Sequence, residues 1–437
     1  MTQGEYDLVS IGFGPAGLAL AAAVDERQRE ARINQKAPLR AVFLEKQAKT
    51  IWHGGLLLPG THVNQHLFKD LVTPRNPQSA LSFASYLHDV DRFYEFCIWT
   101  GPVSRIEWSD YVTWVSTKLR HLAEYDNECT GIDISESGLF HVSTRKRRYE
   151  ALNVVLSAGW EPTIPSEWRS VNPELFAHSS SFLAAETVVG NMTAKGRPKI
   201  LIVGSGLSAA EVTTRLYQKF GRSIELISIH RSMAFKHFNG SEYSKPVFTP
   251  KFSQEFFASD HDERTRLLDA YHTTNYSGIP PALVTSLWKA VYEERLQGGP
   301  VLSLIEHAPI ERVDCKKDSL LVHLERRQGG TQQTLPCDFA ILCTGYTDTT
   351  PMRVLSPIIG DIARTENGLL SVERNYRINL KRKTMGNLYL NGHCEKTHGI
   401  ADSQNFGMLA YRAAVLDQAI WGTKKAEVPR PSDKAVA

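Results

Sequence analysis

The sequence predicts an α/β protein made of two Rossmann-like dinucleotide-binding domains with a small helical substrate or cap region. Three observations carry that prediction. A glycine-rich turn, Gly12-Phe13-Gly14-Pro15-Ala16-Gly17, follows an apolar run near the start. A second, Gly204-Ser205-Gly206-Leu207-Ser208-Ala209, follows another apolar run roughly 190 residues later. Each opens into a stretch rich in helix formers, and strand, glycine turn and helix in that order is the context a dinucleotide fingerprint requires.

The first unit begins with Tyr6 to Ile11, an extended apolar run. Gly12 allows the tight turn, Gly14 lets the backbone approach a pyrophosphate, and Gly17 lets helix and strand pack closely. Pro15 suits the first helical position, and the amides that follow face the phosphates. The next strand, Ala41 to Leu44, ends in Glu45-Lys46, and the Glu45 carboxylate is an acceptor suited to a ribose hydroxyl pair. It lies further from the glycines than the usual spacing of about 20 residues. The stretch Arg27 to Pro38 reads as the insertion responsible.

In the second unit the strand Lys199 to Val203 leads to the turn, and a helix begins near Ser208. The following strand, Ile224 to Ile229, ends in His230-Arg231-Ser232 without a carboxylate. An arginine there can pair with a 2′-phosphate, so NADPH is favoured over NADH.

Composition fits this layout. At 437 residues the chain is long enough for two or three domains with substantial cores. Its net charge of +3, from 50 basic against 47 acidic side chains, comes without a long basic run. Neither nucleic acid nor a membrane surface is therefore expected as a partner. Cys97, Cys129, Cys315, Cys337, Cys343 and Cys394 show neither metal-ligand spacing nor a disulfide rhythm, so no metal site is expected and reduced thiols are. With no basic leader and no apolar stretch near the roughly 20 residues that a bilayer span needs, the cytoplasm is the expected compartment.

Residues 1–165 are expected to form the first part of the first nucleotide domain and residues 195–335 an inserted second one. Residues 336–422 return to the first and add substrate-site elements, and 423–437 form a polar tail. Val154 to Gly159, with Pro162 and Pro165 beyond, marks the crossing out, and Phe339 to Tyr346 the crossing back. Between them Asp260 to Leu296 is rich in helix formers and broken at Gly278-Ile279-Pro280-Pro281, which reads as a cap around residues 260–296 over the cleft.

Further motifs stand in a fixed order: Phe68-Lys69-Asp70-Leu71-Val72-Thr73-Pro74-Arg75-Asn76-Pro77 leading to Ser82-Phe83-Ala84-Ser85-Tyr86-Leu87, then Arg105 to Tyr111, Ser208-Ala209-Ala210-Glu211, Thr274-Asn275-Tyr276-Ser277, Cys343-Thr344-Gly345-Tyr346 and His398-Gly399-Ile400-Ala401-Asp402. With them the chain resembles, over nearly its whole length, the flavin-dependent N-hydroxylating monooxygenases, the L-ornithine and L-lysine N-monooxygenases of hydroxamate siderophore pathways. The resemblance implies FAD on the first domain and NADPH on the second. NADPH would reduce the flavin, oxygen would add, and a flavin hydroperoxide would pass its distal oxygen to a primary amine, with the protein supplying position and electrostatics. The partners implied are a small primary amine and O2, and the chain is expected to form a homo-oligomer, dimer or tetramer. A neutral amine must attack although a free alkylamine has a pKa of about 10.4, so a dry site is required. Trp52, His53 and Gln65 are expected beside the flavin, and Thr344, Tyr346, His398 and Asp402 among the cofactor contacts. His53 is a candidate general base, with a structural histidine near the flavin as the competing reading.

The substrate pocket departs from the family pattern. The family's lysine that grips the substrate carboxylate is present as Lys69, and its asparagine near the reacting amine as Asn275. Its glutamine near the flavin falls on Asn64, with Gln65 as the alternative. A second asparagine at the amino-acid end becomes Lys245, and the leucine, leucine, serine run after His-Gly-x-x-Asp becomes Gln404-Asn405-Phe406, with a ring in place of a hydroxyl. Charged groups that lose polar partners are costly in a pocket. Two substrate classes stay open. One is an amine without the amino-acid carboxylate, such as histamine or a diamine, with Phe406 packing on a flat ring; the other is L-ornithine or L-lysine held by Lys69. Two other functions remain: another flavoprotein monooxygenase, whose linker signature is not found, and an NADPH-dependent flavin reductase, whose dithiol type would need a Cys-x-x-Cys pair that the chain lacks.

Overall fold

The computed structural model describes residues 6–99, 101–233, 235–238, 240–297, 301–325 and 332–425. Tyr6–Ile11 is buried from its second residue onward and lies between two parallel neighbours, the setting in which strands read as continuous apolar runs. The first sheet has seven strands in the order Ala123–Glu124, Ala41–Leu44, Tyr6–Ile11, Arg148–Leu156, Phe140–Thr144, Cys129–Ile134, with Leu388–Leu390 also on Arg148–Leu156. Arg148–Leu156 changes partner along one edge. It runs antiparallel to Phe140–Thr144 as far as Ala151, then parallel to Leu388–Leu390 from Val154. The far end of the chain thus completes the sheet that its start began, and the helix Leu409–Lys425 packs on Pro15–Ile33.

The second sheet is wholly parallel, in the order Leu302–Ile305, Glu225–Ile229, Lys199–Val203, Phe339–Leu342, Phe176–His178. Parallel neighbours need crossovers, and the helices Leu207–Phe220 and Pro281–Leu296 supply two of them. Two expectations change here. Phe339–Leu342, taken as the return to the first domain, is fully buried in the middle of the second sheet, because an all-apolar strand completes a parallel core. The chain crosses back only afterwards, where Tyr346–Thr347 pairs antiparallel with Glu161–Pro162, and the second unit starts earlier than residue 195, with Phe176–His178. The expected cap also divides. His261–Asn275 leans on Glu395–His398 and Ile400–Asp402, whereas Pro281–Leu296 buries Leu287 and Val291 in the second core. Of the expected tail, residues 426–437 lie outside the described residues, and the helix Leu409–Lys425 runs through its start. No helix among the described residues is long and apolar enough to cross a membrane.

One buried ion pair ties the returning segments together. Arg412 and Asp402 are both fully buried, with Arg412 Nη1 2.8 Å from Asp402 Oδ1 and its Nε donating to Asn391 Oδ1 at 2.6 Å. Ser253 and Tyr376 donate their hydroxyls to the same carboxylate at 3.0 and 3.2 Å. Replacing Arg412 with Leu leaves Asp402 as an uncompensated buried charge, and denaturant unfolding should show a loss of about 3–5 kcal/mol. A loss below about 1 kcal/mol, the scale of an exposed ion pair, would contradict this reading.

Candidate active site

The two glycine turns are built alike. Gly12 has φ +103°, and a β-carbon there would stand 2.6 Å from the Ser157 carbonyl oxygen. Gly204, at φ +135°, is pressed in the same way against the carbonyl of Cys343. Each turn thus fits against the backbone that follows the adjacent strand, where only glycine is accommodated. Gly14 is the opposite case, since a β-carbon there would meet nothing within 4 Å. That open space lies before the helix Pro15–Ile33, whose N-terminus carries no side-chain cap and no acid in its first turn. The helix Leu207–Phe220 starts the same way, with Gly206 at its N-cap and Ser208 in its first turn. Uncapped amides at both helix starts fit a pyrophosphate, with open space at Gly14 and with Ser277 in van der Waals contact range at Gly206. At the end of Ala41–Leu44, Glu45 accepts from the amides of Phe13 and Gln47 at 2.9 and 3.0 Å, which fixes its carboxylate beside the first turn. Lys46 is exposed. Arg231 is exposed beside the second turn, where Ser232 Oγ donates to Ser205 Oγ at 3.0 Å.

The two units are joined by a largely buried ion pair. Arg105 Nη1 lies 2.7 Å from Glu211 Oε2, linking the helix Arg105–Lys118 to the helix Leu207–Phe220. Burial pushes the Glu211 carboxyl up, against the pull of Arg105. Thr344 Oγ1 donates to Thr163 O at 2.6 Å and the Tyr346 ring packs on His178 at 5.3 Å, so both brace the crossing. Trp52 meets His53 edge-on at 4.3 Å and Phe406 at 5.2 Å. His53 is solvent-exposed on part of its surface, and protein packs densely around its ring. That crowding and the Arg105 charge push it down to about 4, so the ring is neutral near pH 7.

A row of hydrogen-bonded polar side chains runs from Gln65 to Glu395. Gln65 Nε2 donates to Asn405 Oδ1 at 3.3 Å, and Asn405 Nδ2 to Asn275 Oδ1 at 2.9 Å. Asn275 Nδ2 donates to Ser403 Oγ at 3.1 Å, and the Tyr276 hydroxyl bonds both to Ser403 Oγ and, at 2.8 Å, to Glu395 Oε2. Lys69 is half-buried, and its Nζ donates to the Phe248 carbonyl at 3.3 Å. Burial and the neighbouring charge of Lys245 lower its pKa. Lys245 itself is exposed and lies 3.1 Å from Glu242.

Residues 4–348 match the model of the L-lysine 6-monooxygenase/L-ornithine 5-monooxygenase family. The chain belongs to that family. It is 31% identical over 456 residues to the L-ornithine N(5)-monooxygenase of Arthroderma benhamiae, covering 96% of this chain and 89% of that one. Its fold is similar to the L-lysine 6-monooxygenase of Pseudomonas syringae (TM-score 0.82, 33% identity, 96% of this chain and 99% of that one). It is also similar to the Kutzneria sp. 744 ornithine N-hydroxylase in a structure titled with reduced FAD, NADP+ and L-ornithine (TM-score 0.86, 28% identity, 96% and 100%). The expected fold class and the expectation of a monooxygenase that uses FAD and NADPH are borne out by these relatives.

Within this family member the expected site residues sort unevenly. Gln65 and Asn275 share the polar row. Asn64 is exposed, so the carboxamide at the row's end comes from the alternative residue, Gln65. Phe406 turns towards Trp52 and Trp108, 5.0 Å from the latter, rather than into the row. The ring nitrogens of His398 face Thr397 Oγ1 and Arg374 O at 2.8 and 3.3 Å, and the ring stacks on Tyr376, so the protein already occupies both. Asp402 is taken up by Arg412. The roles of Ser403, Tyr276 and Glu395 and the Arg105–Glu211 pair were not drawn from the sequence. Tyr276, Arg105 and Glu211 each stood inside one of the motifs and Ser403 directly after one, whereas Glu395 stood in none.

Two glycine substitutions separate the roles of the first turn. Gly14→Val should leave the unfolding midpoint of the flavin-free protein nearly unchanged yet abolish flavin retention after gel filtration, whereas Gly12→Val should lower the midpoint itself. Flavin retained at full occupancy by Gly14→Val would contradict a pyrophosphate at that turn.

Proposed function

We propose that this protein N-hydroxylates the side-chain amine of L-ornithine or L-lysine, using FAD, NADPH and dioxygen. FAD, reduced by NADPH, supplies the activated oxygen; the chain's own residues bind, orient and dry the amine. FAD would lie along Gly12, Gly14 and Glu45 with Trp52 and His53 near its ring, and NADPH along Gly204, Gly206 and Arg231. The Arg105–Glu211 pair would hold the two units at a fixed spacing.

The state of Lys69 carries the choice of substrate. No carboxylate pairs with it among the described residues, and the nearby Lys245 adds to its positive surroundings. A half-buried cation of this kind is unfavourable by itself and well matched to an α-carboxylate. Lys245, exposed and 3.1 Å from Glu242, adds positive potential beside Lys69, which remains the cation free for the carboxylate. Phe406, which argued for a flat amine, packs on the tryptophans. Ser403 supplies a hydroxyl next to Asn275, and Asn275 would receive the reacting amine. The product, an N-hydroxylated amino acid, is the precursor that acylation converts into a hydroxamate.

Hydroxylamine formation across L-ornithine, L-lysine, putrescine, cadaverine and histamine tests the assignment. The amino acids should be strongly preferred, and Lys69→Ala should raise their KM by about 10- to 100-fold, the range of a charge-assisted hydrogen bond. Preference for histamine or a diamine, or indifference to Lys69→Ala, would overturn it.

A further inference from the structure

The substrate arrives as an ammonium ion, yet its nitrogen reacts only through a free lone pair. A proton must therefore leave the bound amine before it reacts. The carboxamides of Gln65, Asn405 and Asn275 are poor proton acceptors, Lys69 is a cation, and both nitrogens of His398 are already engaged. The polar row nevertheless continues past Asn275 through two hydroxyls to a carboxylate. Ser403 Oγ lies 3.1 Å from Asn275 Nδ2, the Tyr276 hydroxyl bonds to Ser403 Oγ, and Glu395 Oε2 lies 2.8 Å from the Tyr276 hydroxyl.

We propose that Glu395 accepts, through Ser403 and Tyr276, the proton that the substrate ammonium sheds before hydroxylation. The inference rests on the reading that the amine docks at Asn275, close enough to Ser403 Oγ to hydrogen-bond it directly, since the carboxamide itself cannot relay the proton. In the step, an N–H bond breaks and its electron pair stays on nitrogen. Ser403 Oγ takes that proton as it releases its own to Tyr276, and Tyr276 releases its own to Glu395. For this transfer the single Tyr276 hydroxyl hydrogen points at Glu395 rather than at Ser403, and Ser403 turns its hydroxyl from Ile400 O, which it meets at 2.7 Å, towards Tyr276. The balance closes without another reagent: R–NH3+, O2 and NADPH give R–NHOH, NADP+ and H2O, and the stored proton ends in the water.

The surroundings of Glu395 suit a temporary acceptor. Burial raises its pKa, the Tyr276 hydrogen bond opposes that, Asp348 raises it further and Lys396 lowers it, with a net upward direction. Asp348 is in turn paired with His393 Nδ1, and His272 lies 5.4 Å from the Tyr276 ring. A more basic carboxylate takes a proton more readily from an amine in a desolvated site.

The test is the pH dependence of hydroxylamine formation by the flavin-loaded enzyme at saturating amino acid and NADPH. The wild-type rate should level off within the range pH 6.5 to 8.5. In Glu395→Gln the amine must lose its proton to bulk hydroxide, so the rate should climb by about tenfold per pH unit through that range, because free alkylamines titrate near a pKa of about 10.4. Tyr276→Phe, which keeps the carboxylate but breaks the row, should give the same slope and decides the matter if Glu395→Gln does not hold flavin. Wild-type profiles in the two variants would overturn the proton path while leaving the hydroxylase assignment intact. Absence of hydroxylamine from the wild-type enzyme with either amino acid would overturn the assignment itself.

Discussion

The architecture depends on a steric constraint met twice: a glycine turn pressed so tightly against the backbone after the adjacent strand that a side chain has no room. At Gly12 the neighbour is Ser157, and at Gly204 it is Cys343. Both turns are therefore set by backbone contacts, and both are followed by helices whose first amides have no side-chain cap. Side chains are left to fix how the two units face each other. The buried Arg105–Glu211 pair does so directly, while Thr344 and Tyr346 brace the crossing between them. A pair as buried as this constrains geometry more than it stabilises, since its desolvation offsets much of its attraction.

Charge organises the site between the turns. One end is positive, with Lys69 and Lys245 close enough for one to depress the other. The far end holds the carboxylate of Glu395, and uncharged carboxamides and hydroxyls separate the two. An α-amino acid with a terminal amine has the matching order of charges, carboxylate at one end and ammonium at the other. A diamine or histamine would leave the positive end without a partner.

Much of the fold was legible because its signals are local. The two fingerprints, the strands behind them and the acidic end at Glu45 are read from short stretches whose backbone demands glycine or continuous apolar residues. The boundaries were less legible. Phe339–Leu342 looks the same in sequence whichever sheet receives it, and only pairing with Lys199–Val203 assigns it to the second. The cap was misjudged for a related reason, since helix-forming composition does not distinguish a crossover helix such as Pro281–Leu296 from one leaning on the site. Within the site, Lys69 and Asn275 could be named from motifs. The direction of the Phe406 ring, the exposure of Asn64 and the alignment of Ser403, Tyr276 and Glu395 depend on contacts between segments more than a hundred residues apart.

The central claim is that both nucleotides and the amine meet in this one cleft. Its most direct test is a single turnover: enzyme carrying reduced FAD, NADP+ and L-ornithine or L-lysine is mixed once with oxygenated buffer, and hydroxylamine and hydrogen peroxide are quantified per flavin. The account predicts close to one hydroxylamine per flavin with little peroxide. Flavin that reoxidises with peroxide alone in the presence of either amino acid would contradict it.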